Sequence, residues 1–371
     1  MNLGSPDSTG VKDVKNYLNE FLMDERVIDS SYLVRSVLVK GIITPFRAPK
    51  SAEAYQSIWT KEGSPLVSIT KQLRTALEKE INEPVEVSMR YGNPSMKYAY
   101  DSLLAKHPKI EEVVLVPLYP HYAMSSYETA VTHAKTVHKK GNYPFRIRTI
   151  KPFYNDPNYI EALAESMRPY LGEARGPNSK FLFPNSINNE AEVLNSKLNN
   201  PDSQSPIPNS IKKAHLLFSY HSIPERHIIK SDMTGTHCLQ SPGCCEIPSA
   251  THRYCYRHQC FMTTKLVTEY LGLSKDQYSV AFQSKLGRSE WLKPSTTLRM
   301  EQMPKEGIKD LVVICPSFVS DCLETLEEIA IREKENFLAA GGESFTFIPC
   351  MNTQPRWVKA VAQLVGNGIG N

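Results

Sequence analysis

Six nearly continuous apolar runs, several of them rich in β-branched residues, punctuate the chain: "PVEVSMRYG" (84–92), "EVVLVPLYP" (112–120), "HLLFSYH" (215–221), "YSVAFQSK" (278–285), "LVVICPSF" (311–318) and "SFTFIPC" (344–350). A strand with one wet face alternates apolar and polar positions; a strand covered on both faces does not. Between these runs the spacing of apolar residues changes to that of helices, at about 95–107, 125–140, 256–272 and 322–340. The last of these is stopped by Gly341-Gly342, a good C-terminal signal. Strands and helices in alternation predict α/β architecture with largely parallel sheets. No internal sequence repeat is evident, although the order is compatible with two similar βαβ halves.

One stretch breaks the pattern. Residues 176–210 hold eight Asn, six Ser and five Pro, which suits a surface insertion better than a core element. Composition narrows the rest. With 371 residues, 41% of them hydrophobic and 22% charged, the chain can bury the cores of two ordinary domains. A formal net charge of +4 admits anionic ligands, but no basic stripe of the nucleic-acid-binding kind is present. No apolar run has the length of a membrane span, and "MNLGSPDSTG" lacks a signal-peptide pattern. The expected compartment is therefore the cytoplasm, where disulfides are rare.

Ligands of open α/β sheets bind beyond the carboxyl ends of the strands. Those ends deliver Arg90 and Tyr91, Tyr119 through Tyr122, His221, Gln283 and Ser284, and Pro316 through Asp321. His221 closes an apolar strand and precedes "SIP", so it is presented at a loop with Ser219 and Ser222 nearby to fix its tautomer. A neutral imidazole there accepts a proton or ligates a metal; taken alone, it reads as a strand-capping residue. In "PSFVSDCLETLEEIAIRE" (316–333), Asp321 is placed to cap a helix with Glu324 three residues on. Glu324 and Glu328 then share one face. By itself this is a capped amphipathic helix; in one cleft with His221 it becomes a catalytic pair. The loop "FQSKLGRSEWLKPST" (282–296) carries Trp291, and Arg47 and Lys50 form a lip suited to a flat, anionic, hydrophobic ligand.

In order, "NLGSP", "GSPL", "MRYGNP", "PLYPHYAMSS", "SYHSIP", "FQSKLGRSEWLKP" and "CPSFVSDCLETLEE" resemble the ferrochelatases, the enzymes that insert ferrous iron into a porphyrin. The resemblance runs nearly the whole chain, from "NLGSP" to "MNTQPRWVKAVAQLV". It implies two Rossmann-like domains with the porphyrin held between them: residues 1–165, completed by 351–371, and residues 166–350. It implies His221 and Glu324 at the porphyrin centre as catalytic residues and ligands of the incoming Fe2+. Around them it places Leu3, Arg90, Tyr91, Phe318, Asp321 and Glu328, with Arg47 and Lys50 near the propionates; Tyr119, Tyr122, Ser219 and Trp291 join them as substrate-binding candidates from their own positions at strand ends and in the 282–296 loop. Protoporphyrin IX is the expected substrate, with coproporphyrin III or another tetrapyrrole as the alternative, and a non-catalytic porphyrin carrier as the rival outside enzymes. Monomer and homodimer remain open, and the apolar substrate leaves room for peripheral contact with the inner face of a membrane.

Five of the eight cysteines fall within "HCLQSPGCCEIPSATHRYCYRHQC" (237–260). Read from residues alone, with His237, His252 and His258 interspersed, the segment suits zinc best. Some ferrochelatases carry a [2Fe–2S] cluster, and the resemblance turns the preference to a cluster on Cys238, Cys245, Cys255 and Cys260, with Cys244 as the alternate to Cys245. Cys315, Cys322 and Cys350 read as core or cleft residues.

Overall fold

A computed structural model describes residues 1–171, 214–285, 287 and 289–367. The insertion expected at 176–210 lies outside the described residues. Among the described residues eight strands are formed: β1 Asn2–Ser5, β2 Met89–Gly92, β3 Glu112–Leu115, β4 Arg146–Thr149, β5 Ala214–His221, β6 Tyr278–Gln283, β7 Asp310–Ile314 and β8 Ser344–Phe347. Every ladder between them is parallel. Six strands fall within the apolar runs. The short β1 and the polar "RIRT" of β4 lie outside them.

In the first half β1 pairs with β2 and β3 with β4. The backbone of Met1 joins the two pairs, donating to Val116 and accepting from Leu118, each at 2.8 Å. The order is thus β2-β1-β3-β4. The second half runs β6-β5-β7-β8. In each half the second strand is outermost beside the first, so the halves repeat one topology without repeating a sequence. Gly4 makes the first half close: its φ is +111°, and a Cβ there would lie 1.8 Å from the Tyr91 carbonyl oxygen.

Helices of the first half are α1 Val11–Leu22, α2 Tyr32–Ser36, α3 Thr44–Ile58, α4 Pro65–Leu77, α5 Met96–Lys106, α6 Thr129–Gly141 and α7 Pro157–Leu171; π-helical turns at Val37–Ile43 and Met124–Glu128 precede α3 and α6. The second half has α8 Glu225–Ser231, α9 Tyr256–Leu271, α10 Thr296–Gln302, a π-helix Glu324–Glu333 continued by α11 Lys334–Ala339, and α12 Pro355–Asn367. Helices cover both faces of β5, which explains its continuous apolar run: Leu216, Leu217, Phe218 and Tyr220 are all buried. Each such side chain contributes ~2 kcal/mol of apolar burial. The last helix returns to the first half, with Trp357, Val358 and Val361 in one core with Leu163 and Met167 of α7 and Leu73 of α4. Among the described residues no helix is long and apolar enough to cross a membrane.

Candidate active site

The parallel register sets the site. His221 stands at the end of β5 opposite Gln283 at the end of β6. On the other side β7 leaves β5 after Phe218 has paired with Ile314, and its loop brings Phe318 edge-on to the imidazole, ring centres 6.1 Å apart. His221 Nδ1 lies 2.6 Å from the Ser222 carbonyl oxygen. A carbonyl only accepts, so Nδ1 carries the hydrogen and Nε2 keeps its lone pair. The tautomer is therefore set by the Ser222 backbone. Ser219, expected to help, instead hydrogen-bonds Gln283 at 2.7 Å and Thr296 at 2.8 Å.

Burial lowers the proton affinity of His221 below the ordinary histidine range, and the Arg47 guanidinium acts the same way, against the opposing pull of Glu324 and the Ser222 carbonyl. Two residues distant in sequence thus share one electrostatic environment with the imidazole. Arg47 and Lys50 are exposed on α3. Leu3 packs in one apolar cluster with Tyr17, Tyr55, Tyr91 and Leu323, the neighbour of Glu324. Burial, reinforced by the Glu324 carboxylate, keeps the Tyr17 and Tyr55 phenols protonated well above the usual range.

The segment expected as a capped α-helix differs in both respects. Asp321 caps nothing: its carboxylate accepts from Thr325 at 3.0 Å, the Cys350 backbone at 3.1 Å and Asn352 at 2.7 Å. From Glu324 the chain winds as a π-helix, with i to i+5 bonding and between four and five residues per turn. That pitch aligns Glu324, Glu328 and Glu333 on one face. Glu333 is buried and held by Thr297 at 2.6 Å and Asn336 at 3.1 Å. Glu328 is buried, accepts from Ser284 and lies 3.9 Å from Arg332. Burial raises its carboxyl to about 7, with Ser284 and Arg332 opposing the rise. Ser284 reaches it from a left-handed backbone, φ 65°, sparsely used by residues other than glycine.

Gln283, given by sequence only as a strand end, ties the two halves of the candidate pair together. Its buried amide accepts from Ser219 and donates to the Glu324 carbonyl at 2.9 Å. Arg90 is committed elsewhere: its guanidinium binds Asp24 and Thr129, and stacks 4.2 Å over the Tyr91 ring. Asp24 also accepts from Tyr91 at 3.0 Å and from Thr129. This acidic partner carried no sequence signal. Tyr91 and Tyr119 are buried, whereas Tyr122 is half-buried and donates to Glu128. Trp291 bridges to Pro224, bracing the loop after His221. In the loop 282–296, residues 286 and 288 lie outside the described ones. Asp29 ties the first half to α8 through Arg226 at 2.8 Å and through Lys230.

The cysteine segment sits directly behind the site. Cys255 hydrogen-bonds both Cys245 and Cys238, and Cys244 stands beside Cys238 and Cys245. The Leu239 backbone donates to Cys244 at 3.4 Å, and Arg257 reaches Cys244 at 3.6 Å and Cys245 at 3.5 Å. Both adjacent thiols therefore belong to the group. Cys260 does not fit the set expected for it: a turn further along α9, its thiol meets the Tyr256 hydroxyl. The three histidines stack alongside, His252 on His258 with ring centres 3.6 Å apart and His237 Nε2 3.2 Å from His252 Nε2. Among the described residues no three His, Cys, Asp or Glu side chains are disposed to hold one metal ion.

A cavity of about 850 Å³ lies apart from this chemistry, between residues 83–88 and 110–116 and against Val361 and Val365 of α12. Its walls hold none of the candidate residues.

A family model described as Ferrochelatase matches residues 1–369. The ferrochelatase of Opitutus terrae is 42% identical over 368 residues, covering 98% of this chain and 95% of that one. That of Pseudomonas entomophila is 41% identical over 369 residues, covering 99% and 97%. A solved structure of SirB from Bacillus subtilis with Fe3+ overlays with a TM-score of 0.49 at 13% identity, covering 82% of this chain and 90% of that one. Matched from residue 1 to 369 and about two-fifths identical to its relatives nearly end to end, the chain belongs to the ferrochelatase family.

Proposed function

We propose that the protein inserts ferrous iron into protoporphyrin IX, with His221 and Glu324 acting on the porphyrin centre. The observation that carries this reading is the His221 imidazole with a free Nε2, in electrostatic reach of both Glu324 and Arg47. Metallation must remove two pyrrole N–H protons and strip water from the iron. Neutral Nε2 accepts one proton, and Glu324 takes the second or ligates the incoming iron. Glu328 beside it, protonated near neutral pH, relays protons along the π-helix face. Arg47 and Lys50 would face the propionates. The exposed apolar side chains of Tyr32, Leu33, Val34, Val37, Ile42 and Phe46 beside them suit an apolar macrocycle or peripheral contact with a membrane surface.

His221→Ala tests this. Haem formation is expected to fall by at least a hundredfold while porphyrin binding, read by fluorescence, persists. A near-wild-type rate overturns the assignment, and a wild-type protein that binds porphyrin without metallating it makes the chain a carrier. Turnover on protoporphyrin IX against coproporphyrin III decides the substrate.

The resemblance also implies a [2Fe–2S] cluster, and the thiols suit one: four are buried and mutually close, and backbone N–H groups of Arg257 and His258 meet Cys255. Each iron of such a cluster takes two thiolates, so three ligands around one point are not required. Cys238, Cys244, Cys245 and Cys255 would hold it, in place of the set with Cys260. When bound it would cross-link the loop behind the active site. Iron and acid-labile sulfide in the purified protein support this reading; one zinc and a colourless protein overturn it.

A further inference from the structure

His221 keeps its backbone fixed by an unusual route. After Phe218 the β7 side of β5 has no strand partner, yet the N–H and the carbonyl of His221 are both satisfied. Its N–H donates to the Ser317 hydroxyl at 3.2 Å, and its carbonyl accepts from the Tyr256 hydroxyl at 2.7 Å. The two hydroxyls are 2.8 Å apart. Only one assignment of protons satisfies all three contacts: His221 N–H to Ser317, Ser317 O–H to Tyr256, and Tyr256 O–H back to the His221 carbonyl. The ring is closed, and each hydroxyl both donates and accepts. The phenol is buried, and the His121 ring lies edge-on to it, centres 5.8 Å apart.

Tyr256 is also the first residue of α9, and the residue before it is Cys255, the thiol that joins Cys238 to Cys245. One peptide bond therefore separates the group that bonds the histidine backbone from the centre of the thiol group. We propose that Tyr256 is a positioning residue through which the cysteine segment sets the orientation of His221. The inference rests on the reading that His221 performs the proton transfer. A change at the thiols that moves the start of α9 withdraws a hydrogen bond from the histidine carbonyl, and the loss of metallation follows from misplacement of Nε2.

Tyr256→Phe keeps the ring and deletes the hydroxyl, leaving the His221 carbonyl, Ser317 and the Cys260 thiol without that partner. In the full-length protein kcat is expected to fall about tenfold with the KM for porphyrin within twofold, and Ser317→Ala is expected to give the same split. A second readout does not use turnover: the rate at which diethyl pyrocarbonate modifies His221, followed by peptide mass spectrometry on protein stripped of metal. That rate should change at least threefold in Tyr256→Phe and in Cys255→Ser, and the double variant should show no more than the single ones. Wild-type kcat and modification rate in folded Tyr256→Phe overturn the inference, as does a Cys255→Ser effect that adds in full to it. If His221→Ala itself metallates normally, the catalytic assignment has failed, whatever Tyr256→Phe does.

Discussion

Replacing Glu328 with glutamine is expected to stabilise the protein above neutral pH and to do little at pH 5. The native carboxyl titrates at about 7 because burial outweighs its bonds to Ser284 and Arg332, against 4.5 for an ordinary glutamate. Between those values the native state holds a proton that the unfolded chain has released. Stability of the wild type therefore falls as pH rises through that window, and the loss is complete above it. At ~1.4 kcal/mol per pH unit the full loss is about 3 kcal/mol. Glutamine carries no such cost at any pH, and its carbonyl can still accept from Ser284. The surrendered contact with Arg332, itself half-exposed, is worth under ~1 kcal/mol. A net gain of about 2 kcal/mol at pH 8 remains, shrinking to under ~1 kcal/mol at pH 5. Urea unfolding of both proteins at the two pH values measures it. A difference that is the same at pH 5 and pH 8, or a variant less stable at pH 8, refutes the reasoning.

Asp24→Asn removes the anion that Arg90, Thr129 and Tyr91 share, leaving a half-buried guanidinium without its carboxylate; a cost of ~1.5–3 kcal/mol should appear as a lower thermal midpoint. Cys244→Ser is expected to abolish bound iron and sulfide, and Cys260→Ser to leave both unchanged, by elemental and acid-labile sulfide analysis. Arg47→Ala should raise the KM for a porphyrin with two propionates several-fold with kcat within twofold, and should leave the KM for its dimethyl ester unchanged.

Legibility in the sequence followed burial. The strands of the second half, covered on both faces, announced themselves as apolar runs, and β5 ends at His221 as expected. Strand β4 is "RIRT" with an exposed Arg146, so no apolar run marks it. The first half shows the same strand order as the second, yet β1 has only four residues and too little pattern to read. Side-chain commitments were less legible than positions. Arg90 was found where the strand end put it, but its guanidinium is spent on Asp24, sixty-six residues earlier, and nothing local announces such a pair. Adjacent cysteines rarely both reach one cluster, which makes Cys244 and Cys245 alternatives in the sequence; in the irregular loop both thiols are buried and both meet Arg257.

The π-helix shows the limit of period counting most clearly. Glu324 and Glu328, four apart, share a face in an α-helix and in a π-helix alike, so that pair could be read without knowing which forms. Glu333, nine residues from Glu324, would stand on the opposite face of an α-helix; the wider turn brings it into line. The three carboxyls then occupy graded surroundings: Glu324 half-buried beside the histidine, Glu328 buried and titrating near neutrality, Glu333 buried and fixed by Thr297 and Asn336. π-Helical turns are rare and gather at functional sites. Here the wide turn has a specific consequence: an α-helical winding would turn Glu333 away and leave Glu324 as the carboxylate neighbour of Glu328 on that face. Burial does most to raise the Glu328 carboxyl, and Glu324 and Glu333 add to it, so the wide winding contributes the smaller part of what keeps that group poised to exchange a proton near neutral pH.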